Sequence, residues 1–357
     1  MQPRSTTLLL TAVLATTAQL AAQLPATLTL PAEYDLAWGR GSSAALGSNS
    51  TRTQHIFASP VPIGTPVFGV GFRATPTTVD RASFTADIEI QMSSTAMVPG
   101  ALSTTFATNV GTDMMVAFPR QVVTIPAMPA NRGTGYFAEV RFPVPFIFGT
   151  NNETNLNVDL FVYSRSTGAT WSTDRAFAAT TGRAATAGIG CGGTATINST
   201  STGGTYVAGA TVGVTLAAAP AFAVAFLLPS FNQKTYAGAL PLPIDLSVYG
   251  AGPGCALLVD PALGPTVFVT DAVGAASSSF TVPPGYGRFG LGWQWLYLIN
   301  PTLSNPLGLA ATASRATWIG PEVVTPSAQY VWDLSNVNAT TGNATTNSVP
   351  IVEFLLQ

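Results

Sequence analysis

Phe84-Thr85-Ala86-Asp87-Ile88-Glu89-Ile90-Gln91-Met92 alternates without a break, apolar side chains at the even numbers and polar ones at the odd. A period of two sends the two sets to opposite faces of an extended chain, so the segment reads as a half-buried β-strand. Outward from it, Val67–Phe72, Tyr136–Phe142 and Leu156–Tyr163 follow the same habit. Helical periods do not intervene, and 34 Gly and 27 Pro supply turn punctuation. The reading is an all-β chain: two β-sandwich domains in tandem, the first jelly-roll-like and the second Ig-like.

Charge is scarce. Charged residues make up 8 % of the 357 positions, against roughly 25 % in an ordinary soluble domain. Hydrophobic residues reach 47 %, enough aromatic and branched carbon to fill a core rather than leave a disordered chain. The formal net charge is −2 and Lys234 is the only lysine, so no cation cluster exists to release counterions from nucleic acid or to hold a polybasic membrane contact. Arg4, the apolar run Leu8–Ala15 and the small residues after it read as a secretory signal over 1–23, with cleavage expected between Ala18 and Gln23. That run falls short of the ~20 apolar residues of a spanning helix, and so does Ala221–Leu228, which reads as a buried strand. The expected location is secreted, extracellular or cell-surface, without a transmembrane anchor.

After the leader, residues 24–185 form the first unit. Thr180–Gly188 is small and turn-rich, and a second unit over 186–320 follows it. Residues 321–357 hold two further strands, around Gln329–Leu334 and Val349–Leu356, which add to one of the two sandwiches; sequence does not say which. Cys191 and Cys255, 64 positions apart, are the only cysteines. Behind an export signal they read as one structural disulfide, two buried thiols being the alternative. The span they enclose contains the densest apolar motif, Leu240-Pro241-Leu242-Pro243-Ile244-Asp245-Leu246.

That motif belongs to an ordered set: Ala187–Gly193, Leu240–Leu246, Gly254-Cys255, Trp295–Leu298 and Asn305–Ala310. The set resembles a C-terminal module of large secreted β-sandwich proteins of planctomycete-type bacteria, over about residues 187–320. The resemblance implies an extracellular β-sandwich with a cysteine pair and brings no catalytic residues. Ala101–Gly111, with the strand before it, is similar to a β-rich N-terminal module of the same kind of protein, over about 33–175, which implies a jelly-roll-like sandwich.

Candidate chemistry is thin. His55 is the sole histidine and no G-x-S-x-G elbow occurs, so a Ser-His-Asp relay has no support; a surface or strand-end histidine is expected. Gly188-Ile189-Gly190-Cys191-Gly192-Gly193 satisfies G-x-G-x-x-G, but strand and turn residues follow where a dinucleotide site needs a helix. Asp87 and Glu89 share one strand face and point in parallel rather than across a cleft, which reads as a solvated face more than as a glycosidase pair. Asn151, Asn152, Glu153, Asn155, Asn157 and Asp159 crowd one loop and strand start with oxygens. Asn155, Asn157 and Asp159 are the ligands a structural Ca²⁺ would take there, a turn rich in Asx hydrogen bonds being the other reading. Trp293, Trp295 and Tyr297 share one strand face. Exposed, they would stack on sugar rings; apolar Leu291, Leu296, Leu298 and Ile299 around them favour sandwich core.

The expected function is therefore a non-enzymatic secreted or cell-surface protein with a structural or adhesive role. Its partners would be cell-envelope polysaccharide or other surface proteins, with no nucleic acid and no cofactor beyond that calcium ion. A carbohydrate-binding protein is the second reading and a β-sandwich hydrolase the third.

Overall fold

A computed structural model describes residues 27–39, 46, 48–135, 137–166, 171–177, 181–320, 328–345 and 348–356. The expected signal over 1–23 lies outside them. Among the described residues every helix is a short 3₁₀ turn, and the chain is an all-β fold of antiparallel sheets packed as sandwiches.

The first eight strands are β1 (Thr27–Leu30), β2 (Thr51–Ala58), β3 (Pro66–Arg73), β4 (Phe84–Thr95), β5 (Met115–Ile125), β6 (Phe137–Ile147), β7 (Asn155–Arg165) and β8 (Arg175–Phe177). β2, β7, β4 and β5 are neighbours in one sheet, and β3 pairs with β6 in the facing one. The alternation of β4 is realised side chain by side chain: Phe84, Ala86, Ile88, Ile90 and Met92 are buried, and so are Leu156, Val158, Leu160 and Val162 of β7. They meet Val70 and Phe72 of β3 and Val140, Phe142 and Phe146 of β6 in one core.

A second pair of layers follows. β9 (Arg183–Ala187), β12 (Val224–Ser230), β17 (Thr266–Val269), β19 (Phe289–Leu298) and β20 (Leu309–Ile319) form a five-stranded sheet in the order β17-β12-β19-β20-β9. β10 (Thr196–Ser201), β11 (Thr211–Ala217) and β18 (Ala276–Thr281) cover one face of it. Val212, Val214 and Leu216 pack there against Leu227, Trp293, Trp295 and Tyr297. Across the other face run two small ribbons, β13 (Thr235–Tyr236) with β14 (Leu240–Pro241) and β15 (Ile244–Asp245) with β16 (Ala256–Leu257).

The chain then returns to the first layers. β21 (Ala328–Asp333) pairs with β2, and β22 (Asn343–Thr345) pairs with β21, which completes a six-stranded sheet. β23 (Ser348–Pro350) pairs with β8, and β24 (Val352–Leu355) inserts between β1 and β3. The last strands thus join the first sandwich and serve both of its sheets. Phe354 closes the core edge-on against Phe57, ring centroids 5.3 Å apart.

The two sets of layers meet over the segment Tyr34–Gly39. Arg73, fully buried, gives its guanidinium to Asp174 and to the carbonyls of Tyr34, Ala37 and Thr134. Asp174 accepts in turn from Gly39 N–H. A buried ion pair survives desolvation only when its remaining lone pairs and protons are satisfied in this way. Trp318 of β20 donates its indole N–H to Trp38 O at 2.7 Å and lies 4.4 Å from the Tyr34 ring. Backbone bonds from Thr134 N to Gln233 O and from Gly133 N to Leu242 O stitch the two sets together farther along.

Candidate functional site

The inward face of β12 and β19 is core, so their outward face needs cover. Phe226, Leu228 and Leu296 project there, because Ala225, Leu227, Trp295 and Tyr297 take the inner positions of the same strands. The excursion from Tyr236 to Leu257 covers that face only in part. Leu242, Leu257 and Val259 close down on Leu228 as a small cluster of their own. Between cover and sheet remains a groove of about 620 Å³. Its floor is Phe226, Leu228 and Leu296, its wall Ile244, Leu246 and Leu257, and its rim Tyr236, Leu240, Tyr249, Pro261 and Pro265. No Asp, Glu, Lys, Arg or His is among these residues.

Two devices hold the wall in place. Gln294 points outward from β19 and is fully buried. Its Oε1 accepts from Leu258 N–H at 2.8 Å, while its Nε2 donates to Ala256 O and Thr312 O at 2.8 and 3.0 Å. The second device is the disulfide between Cys191 and Cys255, Cα atoms 5.0 Å apart. It sits with Ala251 and Ala311 in a small cluster that Leu246, Leu296 and Leu309 abut, so the bond ties the wall to the sheet edge beside the groove. Gln294 and Leu296 share the outward face by the ordinary period of two, and the register shift opposite them is taken up by one extra residue of β20, where the Thr312 hydroxyl accepts from Trp295 N–H.

The other residues singled out from sequence lie elsewhere. Trp293, Trp295 and Tyr297 are 6 %, 0 % and 1 % exposed, with Phe280 and Phe268 against the two indoles. No sugar ring reaches them: the row is sandwich core, as its apolar neighbours favoured, and the stacking alternative for Trp293, Trp295 and Tyr297 falls. His55 is not a surface or strand-end residue either: it is fully buried on β2, its Nε2 3.0 Å from Thr53 Oγ1 and its ring stacked with Tyr330 at 5.9 Å. Desolvation there lowers its pKa to about 3. Strand patterning in Thr53-Gln54-His55-Ile56-Phe57 could have placed it, since His55 shares a face with Phe57 of the core.

Asn155, Asn157 and Asp159 do share the outer face of β7, all of them buried. The two amide donors and the carboxylate are engaged, while Asn157 Oδ1 is buried without a hydrogen-bond partner. Asn155 Nδ2 donates to Met97 O, Asn157 Nδ2 to Ser93 Oγ, and Asp159 receives Arg52 through two bonds of 3.2 and 2.6 Å, with Gln54 beside it. Burial pushes the Asp159 carboxyl up from its ordinary value, and the Arg52 guanidinium pulls it back. The Arg52 guanidinium takes both oxygens of Asp159, the one charged group of the three, and the amides of Asn155 and Asn157 tie the row to Met97 and Ser93. Asp87 is held by Arg120, and Glu89 accepts from Gln91 on its own strand face. Gly188–Gly193 runs toward strand β10, with no helix to receive a pyrophosphate.

The groove itself was missed. Its signal was present in two places: the Leu240–Leu246 run, too apolar for an exposed loop, and a glutamine set between two tryptophans at 293 and 295. No protein-family model matches the chain, and no curated protein is significantly similar to it.

Proposed function

We propose that the chain is a secreted, non-enzymatic β-sandwich protein with a structural or adhesive role at the cell surface. One observation carries this reading: the groove over β12 and β19 is walled by carbon, and Asp87, Asp159 and Asp174 are each held by an arginine in a structural pair away from it. General acid–base or nucleophilic chemistry requires a titratable group within hydrogen-bond reach of a substrate. Export is supported by the leader-like start at 1–23 and by a disulfide, which persists in oxidising compartments. The resemblance of residues 187–320 to a module of secreted planctomycete-type proteins points the same way.

The test is fractionation of a bacterial host expressing the full chain. The protein is expected in the medium or with the envelope, its two cysteines inert to thiol reagents until reduced, with no turnover of polysaccharide or ester substrates. Retention in the cytoplasm with free thiols overturns export. Hydrolysis that disappears on removal of one carboxylate overturns the non-enzymatic assignment.

A further inference from the structure

We infer that the groove between β12/β19 and the Tyr236–Leu257 excursion is a binding site for a single uncharged hydrocarbon chain. The inference goes beyond the surface role proposed above and does not depend on it.

Depth is the first argument. Leu228 of the floor and Leu257 of the wall are 4 % and 8 % exposed, whereas Leu240 and Tyr249 of the rim are 56 % and 67 % exposed. Phe226 of the floor and Leu246 of the wall are half-buried. A groove graded from closed carbon to an open aromatic tip suits a molecule that enters end first and leaves its other end in water. Its 620 Å³ falls inside the roughly 300–1,000 Å³ typical of small-molecule sites.

Charge selects the occupant. No lining residue can pair with a carboxylate, phosphate or ammonium, and an unpaired charge brought out of water is costly. The ionisable residues flanking the lining segments are the acids Asp245 and Asp260, which accept from Ser247 N–H and Ala237 N–H. Lys234, the only lysine, is turned away to Asp35 at 2.6 Å. Among the described residues that line or flank the groove, an anionic head therefore finds carboxylates and no cation turned toward it. A peptide is disfavoured for a related reason: its N–H and C=O groups would need partners, and the lining side chains offer only the hydroxyls of Tyr236 and Tyr249. A hydrocarbon chain makes no such demand. A second copy of this chain pairing along β17 is also disfavoured, since that edge is four residues long and begins after Pro265. Gln294 and the disulfide fix the wall beforehand, so binding loses little to ordering it.

Calorimetric titration of the full chain with 1-decanol, decanoate and 1-octanol tests the assignment. Decanol is expected to saturate a single site. Decanoate at neutral pH should bind about tenfold more weakly or less. Octanol should lose about fourfold per methylene removed. Leu240→Asp, at an exposed position that folding tolerates, should abolish or sharply weaken decanol binding, and Leu246→Trp should do the same by filling the groove. Val273→Asp, on an exposed turn outside the lining, should leave it unchanged. Absence of saturable decanol binding, equal binding of decanoate, or an unaltered affinity in folded Leu240→Asp would each overturn the site.

Discussion

Leu258 hangs from Gln294: the backbone N–H of the one donates to the side-chain oxygen of the other at 2.8 Å, in full burial, 36 positions apart along the chain. That bond and its two companions from Nε2 fasten the cover of the groove to the sheet beneath it. Replacing Gln294 with alanine strands an N–H and two carbonyls without partners. The expected loss is about 2–4 kcal/mol, read by urea unfolding. Gln294→Glu should be no milder, because a carboxylate would then face the Ala256 and Thr312 carbonyls. Parental stability in both variants would remove Gln294 as the fastening.

Phe354 makes the C-terminus part of the first core. β24 sits between β1 and β3, and the Phe354 ring is 1 % exposed against Phe57. Phe354→Ala is expected to cost about 3–5 kcal/mol. Removal of residues 348–357 should leave β1 and β3 unpaired on facing edges and yield an aggregating chain. A truncated protein that stays folded and monodisperse would show that the last strands are dispensable.

His55 makes stability depend on pH in one direction. Burial holds its pKa at about 3 in the fold, against 6.5 when exposed in the unfolded chain. Below pH 6.5 the unfolded state takes up a proton that the folded state refuses, so stability falls as pH drops toward 3 and is insensitive to this group above 6.5. The full effect is about 4–5 kcal/mol, at about 1.4 kcal/mol per unit. His55→Gln should flatten the dependence over that window. Denaturant midpoints measured across the acid range check it, and parallel curves for parent and variant would contradict the burial.

Arg52 and Asp159 separate an ion pair from a metal site. The pair is nearly dry, with side-chain exposures of 16 % and 1 %. Arg52→Met should therefore destabilise by about 3–5 kcal/mol through an uncompensated buried carboxylate. The parent's melting temperature should not change when calcium is added or chelated. A calcium-dependent rise in the parent would restore the metal reading of Asn155, Asn157 and Asp159.

Local patterning explains which features were readable from the chain. The period of two in Phe84–Met92 and Leu156–Tyr163 set strand and face together, and the structure keeps both. The cysteine pair was readable because only one pairing exists. Faces shared by long-range partners were not. Whether Trp293 and Trp295 met water or core depended on β11 and β18, and the destination of Ala328–Leu355 depended on strands about 300 positions earlier. The metal reading of 155–159 stayed open because the partners lie far along the chain: Arg52 is 107 positions from Asp159, Ser93 64 from Asn157 and Met97 58 from Asn155. The groove needed both: a local run of apolar residues, and a sheet face that only the fold exposes.

Adsorption of the purified chain to isolated cell envelope, followed through a salt series, tests the non-catalytic surface role most directly. A chain with only 8 % charged residues and a carbon-walled groove should hold its partner without long-range charge attraction. The bound fraction is therefore expected to stay level from about 0.05 M to about 1 M sodium chloride, a range over which screening removes attraction between exposed charges, and to fall with mild detergent. A chain that stays in solution at every salt concentration, or that washes off as salt rises, would contradict the account.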